Sequence, residues 1–190
     1  ILQYLGVHYI DIVRFVTGSI PVRVMATGQK SWLKEHGLDI YDAIQCIIEW
    51  RTPEGNNFTQ TLLVNWIDPN CSTAMSDQKI KFVGTRGRFE GDQKERGVRI
   101  LYDDQHLAEP NPDFCHSYRN ADGTLTWEGY GINSISSFLN DVSELMTGKC
   151  TPQELEGKRP TFSESIISTA VIDAANKSLC QNGCWLETEL

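Results

Sequence analysis

Apolar residues recur at helical spacing in the opening segment. Leu2, Leu5, Tyr9, Ile12 and Val16 step by three and four and Gly18 follows as a stop, so residues 1–17 are expected to form a helix. From residue 21 the period changes to two: Val22, Val24 and Ala26 alternate with Arg23 and Met25, predicting a strand over 21–29 entered through Pro21. Residues 40–51 are rich in β-formers between Ala43 and Trp50. The turn T-P-E-G-N-N follows, then a second apolar run over 58–66, so 40–66 reads as a hairpin. Residues 78–83 alternate again, G-T-R-G from Gly84 to Gly87 turns the chain into a short strand over 88–90, and another strand is expected over 98–102. The period is lost between Asp103 and Asp122, around Pro110 and Pro112, which predicts a long surface loop. A short strand over 127–130 precedes a helix over 131–147, where Ile132, Ile135, Leu139, Val142 and Met146 form an apolar stripe and Gly148 is the stop. A polar connection over 149–160 leads to T-F-S-E from Thr161, a capping-box pattern, and to a last helix that ends near Asn182 and Gly183. Residues 185–190 read as a closing strand. Consecutive strands without intervening helices predict an α+β fold: an open, largely antiparallel or mixed β-sheet with helices packed on one face.

The chain of 190 residues suits a single domain over 1–190 with a sizeable core. Its 17 Lys+Arg against 25 Asp+Glu give a net charge of −8, and no basic run offsets that balance, which argues against nucleic acid and membrane surfaces as partners. No apolar stretch approaches the roughly 20 residues of a membrane span. The six cysteines, at 46, 71, 115, 150, 180 and 184, are mostly far apart, so free thiols in a reducing, cytoplasmic compartment are expected rather than a disulfide framework. Cys180 and Cys184 lack the second Cys/His pair of a zinc site, and no metal is expected. There is no initiator Met, basic n-region or cleavage site at Ile1, so the chain is expected to begin inside a longer protein.

The opening helix carries the chemistry. Tyr4, His8, Asp11 and Phe15 step by four, three and four, which puts a phenol, an imidazole and a carboxylate on one face. Such a stripe can relay a proton. The plainer alternative is a helix buried on two sides, with His8 and Asp11 bonded to each other or to backbone.

The wording G-V-H-Y-I-D-I-V-R-F-V-T-G from Gly6 to Gly18 resembles the G-x-H-x-x-D-x-x-x-x-x-x-G segment that opens the C-terminal domain of the Gfo/Idh/MocA oxidoreductases. These are NAD(P)-dependent dehydrogenases and reductases acting mainly on sugars, inositols and related polyols. K-F-V-G-T-R-G from Lys81, F-L-N-D-V from Phe138 and A-A-N-K-S-L-C-Q-N-G-C-W from Ala174 are similar to later segments of the same domain, so the resemblance spans the chain. It implies an N-terminal Rossmann domain that binds the dinucleotide and supplies a catalytic Lys, and a C-terminal domain that supplies D-x-x-x-H. His8 falls on that His, and Tyr4 stands where the Asp would be. The resemblance makes His8 the group that takes the alcohol proton as hydride leaves carbon. Tyr4 either donates a proton in the reduction direction, its phenol lowered from about 10 by a neighbouring Lys, or only packs against substrate. Asp11 is then an orienter of His8, or a partner for Arg14 or a backbone amide.

The sequence has no G-x-G-x-x-G after a strand and no catalytic-Lys motif, so NAD or NADP is expected to bind outside this chain, and the chain alone is expected to be inactive. As substrate contacts, His116, Tyr118 and Arg119 can hydrogen-bond a polyol and Trp127 and Tyr130 can stack on a sugar face; the alternative for each is an ordinary exposed residue. His36 and His106 are expected to be solvated, as is the pair Asp103 and Asp104, and Lys94, Glu95 and Arg96 to form a charged turn. Three functions remain open: a sugar or polyol dehydrogenase, a relative that cleaves glycosides by transient oxidation, and a non-catalytic dimerisation scaffold. A homo-oligomer is expected through an open sheet face carrying Val22, Val24, Ile44 and Ile48.

Overall fold

The computed structural model describes residues 1–74, 76–101, 103 and 107–190. The expectations that touch Tyr102, Asp104 and His106 lie outside the described residues. In chain order the elements are a π-helical turn at Leu2–Gly6, then α1 (Val7–Thr17), β1 (Ile20–Gln29), α2 (Trp32–Glu35), β2 (Ala43–Arg51), β3 (Asn57–Asn65), β4 (Lys79–Gly84) and β5 (Gly87–Asp92). There follow β6 (His116–Arg119), β7 (Leu125–Glu128), α3 (Tyr130–Met146), α4 (Pro152–Leu155), α5 (Phe162–Cys180) and β8 (Leu186–Glu187). The chain forms two compact units, one of residues 1–68 with 159–190 and one of residues 69–158.

The first unit is an open antiparallel sheet in the order β3-β2-β1-β8, with α1 and α5 laid on it. Period two decides which side the helices take. Cross-strand rows Val24–Ile48–Gln60, Ala26–Cys46–Leu62 and Gly28–Ile44–Val64 share one face, and their apolar members are buried. Ile167, Val171, Ala174 and Ala175 of α5 close this core with Leu2, Ile10 and Val13 of the opening segment. The small residues at the foot of α5 let it come close to β1: Ser178 Oγ accepts the Ala26 N–H at 2.9 Å and donates to the Cys184 carbonyl at 2.6 Å. Trp50, fully buried, donates from Nε1 to Gln60 Oε1 at 3.0 Å, and Gln60 donates to the Tyr9 carbonyl at 3.1 Å, tying α1 to β3.

This packing corrects the expected exposed face. Val24, Ile44 and Ile48 are 0%, 4% and 0% exposed, covered by the chain's own helices, and Val22 lies in the irregularity between Pro21 and Arg23. The alternation identifies the apolar face but not whether a helix or a second copy covers it. The opposite face presents the rows Arg23–Glu49–Thr59, Met25–Ile47–Thr61 and Thr27–Gln45–Leu63. There Arg23 bonds Glu49 at 2.6 Å and lies 4.7 Å from the centre of the Trp185 ring.

The second unit contains two hairpins, β4–β5 and β6–β7, with α3 and α4. Its side chains are largely exposed: none of α3 is buried, so Ile135, Leu139 and Met146 of the expected stripe remain open. Buried Glu109 locks one loop by bonding Arg99 Nε at 3.0 Å and the Thr73 hydroxyl. The expected loop after residue 103 contains β6, because His116–Arg119 finds a partner in β7 that local pattern does not reveal. The expected strand over 98–102 is, among the described residues, a single bridge from Ile100 to Ala108. The capping box is not at Thr161. Glu164 pairs there with Arg14 at 3.4 Å, and the reciprocal bonds form instead between Thr151 and Glu154 at α4.

Candidate active site

The opening segment is wider than an α-helix. The Ile1 carbonyl accepts both the Tyr4 N–H at 3.1 Å and the Leu5 N–H at 2.9 Å, and the Val7 N–H reaches the Leu2 carbonyl, an i to i+5 bond. This turn shifts the helical phase. The buried stripe is Leu2, Gly6, Ile10 and Val13, whereas Leu5, Tyr9 and Ile12 are half-buried and Val16 is exposed. Gly6 explains the close seat of the turn on β3: a Cβ there lies 3.1 Å from Leu2 Cδ2, 3.4 Å from Leu62 Cδ2 and 3.6 Å from Val64 Cγ1.

With that face committed to the sheet, Tyr4, His8, Asp11 and Phe15 form one exposed stripe. The helix is therefore not buried on two sides, and among the described residues no hydrogen bond joins His8 to Asp11. Arg14 bonds the Gly18 carbonyl and Glu164 rather than Asp11. Among the described residues neither ring nitrogen of His8 has a hydrogen-bond partner, and the side chain is exposed. Tyr4, 66% exposed, stacks on Trp66 with ring centres 5.7 Å apart and planes 27° from parallel.

Trp66 is the neighbour that sequence reasoning missed as part of the site. It follows β3 with the same parity as Leu62 and Val64, so it continues the helix-side face beyond the last covered row, and that parity was the available signal. Its N–H donates to the Asp42 carbonyl at 2.8 Å. The Asp42 carboxylate, buried, accepts the backbone N–H groups of Ser31, Trp32 and Leu33 at 2.7, 3.0 and 2.8 Å. These donors, Leu33 foremost, hold its carboxyl below the ordinary value.

In the second unit the expected substrate contacts divide by hairpin register. His116 pairs with Glu128 and Tyr118 with Thr126, while Ser117 pairs with Trp127 and Arg119 with Leu125. Alternation therefore puts His116 and Tyr118 on one face and Arg119 and Trp127 on the other. His116 Nδ1 lies 2.7 Å from the Pro112 carbonyl, and its ring meets Tyr118 edge-on at 5.0 Å. Arg119 donates to the Gly123 carbonyl at 3.0 Å, which occupies one of its nitrogens. Tyr130, at the start of α3, accepts from Asn111 at 3.0 Å and packs edge-on to Phe114.

Two helix starts are closed to a phosphate group. The amides at the start of α2, after β1, are already filled by Asp42, and Gly129, which precedes α3, is closed by the Phe114 carbonyl 2.5 Å from where its Cβ would stand. Among the described residues no three His, Cys, Asp or Glu side chains are placed to hold a metal ion. All six cysteines are free; burial pushes the Cys46 thiol up to about 12, and Cys180 and Cys184 are exposed. Among the described residues no helix is long and apolar enough to cross a membrane.

Residues 1–188 match the family described as "Oxidoreductase family, C-terminal alpha/beta domain", and the chain belongs to that Gfo/Idh/MocA family. It is similar in fold to an oxidoreductase from Sinorhizobium meliloti, at 16% identity and a TM-score of 0.63 over 97% of this chain and 51% of that one. It is similar also to a myo-inositol dehydrogenase from Corynebacterium glutamicum, at 16% identity and a TM-score of 0.54 over 98% of this chain and 48% of that one. A third likeness is to myo-inositol 2-dehydrogenase from Lactobacillus plantarum, at 14% identity and a TM-score of 0.54 over 97% of this chain and 47% of that one. The chain thus spans about half the length of these solved structures. No curated protein sequence matches it.

Proposed function

We propose that residues 1–190 form the substrate-side and oligomerisation domain of an NAD(P)-dependent dehydrogenase or reductase of a sugar, inositol or related polyol. The observation that carries this reading is His8: the resemblance of its segment to G-x-H-x-x-D makes it the candidate proton-transfer group, and it lies on an exposed helix face with no side-chain hydrogen bond among the described residues. The inositol dehydrogenases among its structural neighbours support the substrate class.

NAD or NADP, held by a dinucleotide-binding domain outside residues 1–190, supplies the hydride acceptor. The work of this chain is the proton. As a secondary alcohol becomes a ketone, His8 accepts the hydroxyl proton and later releases it to solvent, and in the reverse direction it returns a proton to the forming alkoxide. Tyr4, one turn before His8, offers a phenol to the same oxygen or to its neighbour. Asp11 lies on the same exposed stripe, three residues after His8. In the second unit, taken by itself, His116 and Tyr118 or Arg119 offer hydrogen-bonding groups for a polyol, and Trp127 or Tyr130 a ring for a sugar face. A second copy covers the outer sheet face.

The test is the intact protein, wild type against His8→Ala, assayed by nicotinamide absorbance with NAD+ and NADP+ over a polyol and sugar panel. The expected result is turnover that falls about 100- to 10,000-fold in the variant. Release of free sugar from glycosides without net cofactor change would assign a redox-neutral glycosidase instead. Bound cofactor with no turnover on either panel would leave a scaffold.

A further inference from the structure

We infer that Trp66 is a positioning residue that fixes the Tyr4 phenol beside His8; the inference rests on reading Tyr4 as a group of the active site. Tyr4 lies in the π-helical turn, is 66% exposed, and its hydroxyl makes no hydrogen bond among the described residues, so no polar partner selects its rotamer. What touches its ring is Trp66, offset-stacked at 5.7 Å and 27°.

The main chain on both sides of that contact is held. The Trp66 backbone N–H donates to the Asp42 carbonyl at 2.8 Å, and the carboxylate of Asp42 binds three successive amides of the 31–33 turn. The turn carrying Tyr4 is drawn to the same strand by the missing side chain of Gly6 against Leu62 and Val64. The remaining freedom is that of the two side chains, and stacking on Trp66 selects among the staggered wells open to Tyr4. An aromatic pair of this kind biases their population by about 2- to 12-fold.

The experiment uses the intact protein with the substrate of the panel it oxidises fastest, and compares Trp66→Ala, Trp66→Phe, Tyr4→Phe and the double variant Tyr4→Phe/Trp66→Ala. Trp66→Ala is expected to lower kcat about 2- to 12-fold with KM changed less than about twofold. Trp66→Phe, which keeps a ring, is expected to retain at least about half of kcat. Adding Trp66→Ala to Tyr4→Phe is expected to cost nothing further, because Trp66 acts through the phenol that Tyr4→Phe has removed. Fully additive losses, or a rise in KM alone, overturn the inference and make Trp66 a direct substrate contact. NMR of 13C-tyrosine-labelled protein gives a second reading that needs no turnover: three-bond couplings about the Tyr4 χ1 bond are expected to report one dominant rotamer in the wild type and averaging among wells in Trp66→Ala. Should the wild type oxidise nothing on the panel, that change in rotamer averaging upholds the clamp and the failure falls on the proposed function; couplings equal in wild type and variant overturn the clamp in either case.

Discussion

At the scale of single residues, Asp42 shows how a buried charge can serve a site it does not touch. Its three backbone donors satisfy the amides at the start of α2, and its own main chain bonds Gln29 on one side and Trp66 on the other. Because those donors favour the carboxylate, its folded pKa is depressed below the ordinary value of 3.8. A depressed acid contributes stability that is present above the unfolded pKa and is lost as pH falls through the folded value. Asp42→Asn keeps the shape but turns an amide NH2 toward backbone donors, so it is expected to lower the urea midpoint at pH 7. The gap to wild type should narrow as pH is lowered from about 5 to about 3. Parallel curves over that range would show that the charge does not contribute. Little of this was visible beforehand: Asp42 reads as a polar residue before a strand, and its donors lie nine to eleven residues away.

At the scale of elements, the period-two and helical patterns located most of what the structure contains, since each is a local consequence of one buried face. The hairpin β2–β3, the strand β1 and the helices α3 and α5 lie within a few residues of their expected positions. What failed depended on non-local partners. The strand β6 exists because Leu125–Glu128 pairs with it, and at Thr161 the helix starts where expected but without the capping-box bonds, Glu164 pairing with Arg14 instead. The phase of the opening helix failed for a local but unusual reason, an i to i+5 turn in which Gly6 contributes to the buried stripe without a side chain. Tyr4 and His8 were legible as a stripe, whereas their exposure and the Trp66 contact were not. The joint between α5 and β1 gives a sharp test of the architecture. Ser178→Ala leaves the buried Ala26 N–H without its acceptor at 2.9 Å, and the expected loss is about 1–3 kcal/mol by chemical denaturation. A change below about 0.5 kcal/mol would show that this amide finds another partner.

At the scale of the whole molecule, the sheet has one face committed and one left open, and the two faces differ in character. The committed face is apolar apart from Gln60 and is covered by α1 and α5. The open face alternates charge, hydroxyl and hydrocarbon, with Met25 and Ile47 in its middle row and Leu63, 59% exposed, at one edge. A purely solvated face has no use for that central hydrocarbon, whereas an interface between identical copies matches it: apolar in the centre and polar at the rim, with the Arg23–Glu49 pair already satisfied within each copy. A stable interface of this kind needs roughly 800 Å² from each partner, an area within reach of a four-stranded face. Leu63→Arg adds a charge to that face, and Ile47→Glu places one near its centre, without touching the helix-covered core. The expected outcome for the intact protein is a fall in mass by light scattering from oligomer toward monomer, with circular dichroism unchanged. If both variants keep the wild-type mass, the copies meet elsewhere; if the wild type is itself monomeric, the open face is solvated and the proposal of a homo-oligomer fails.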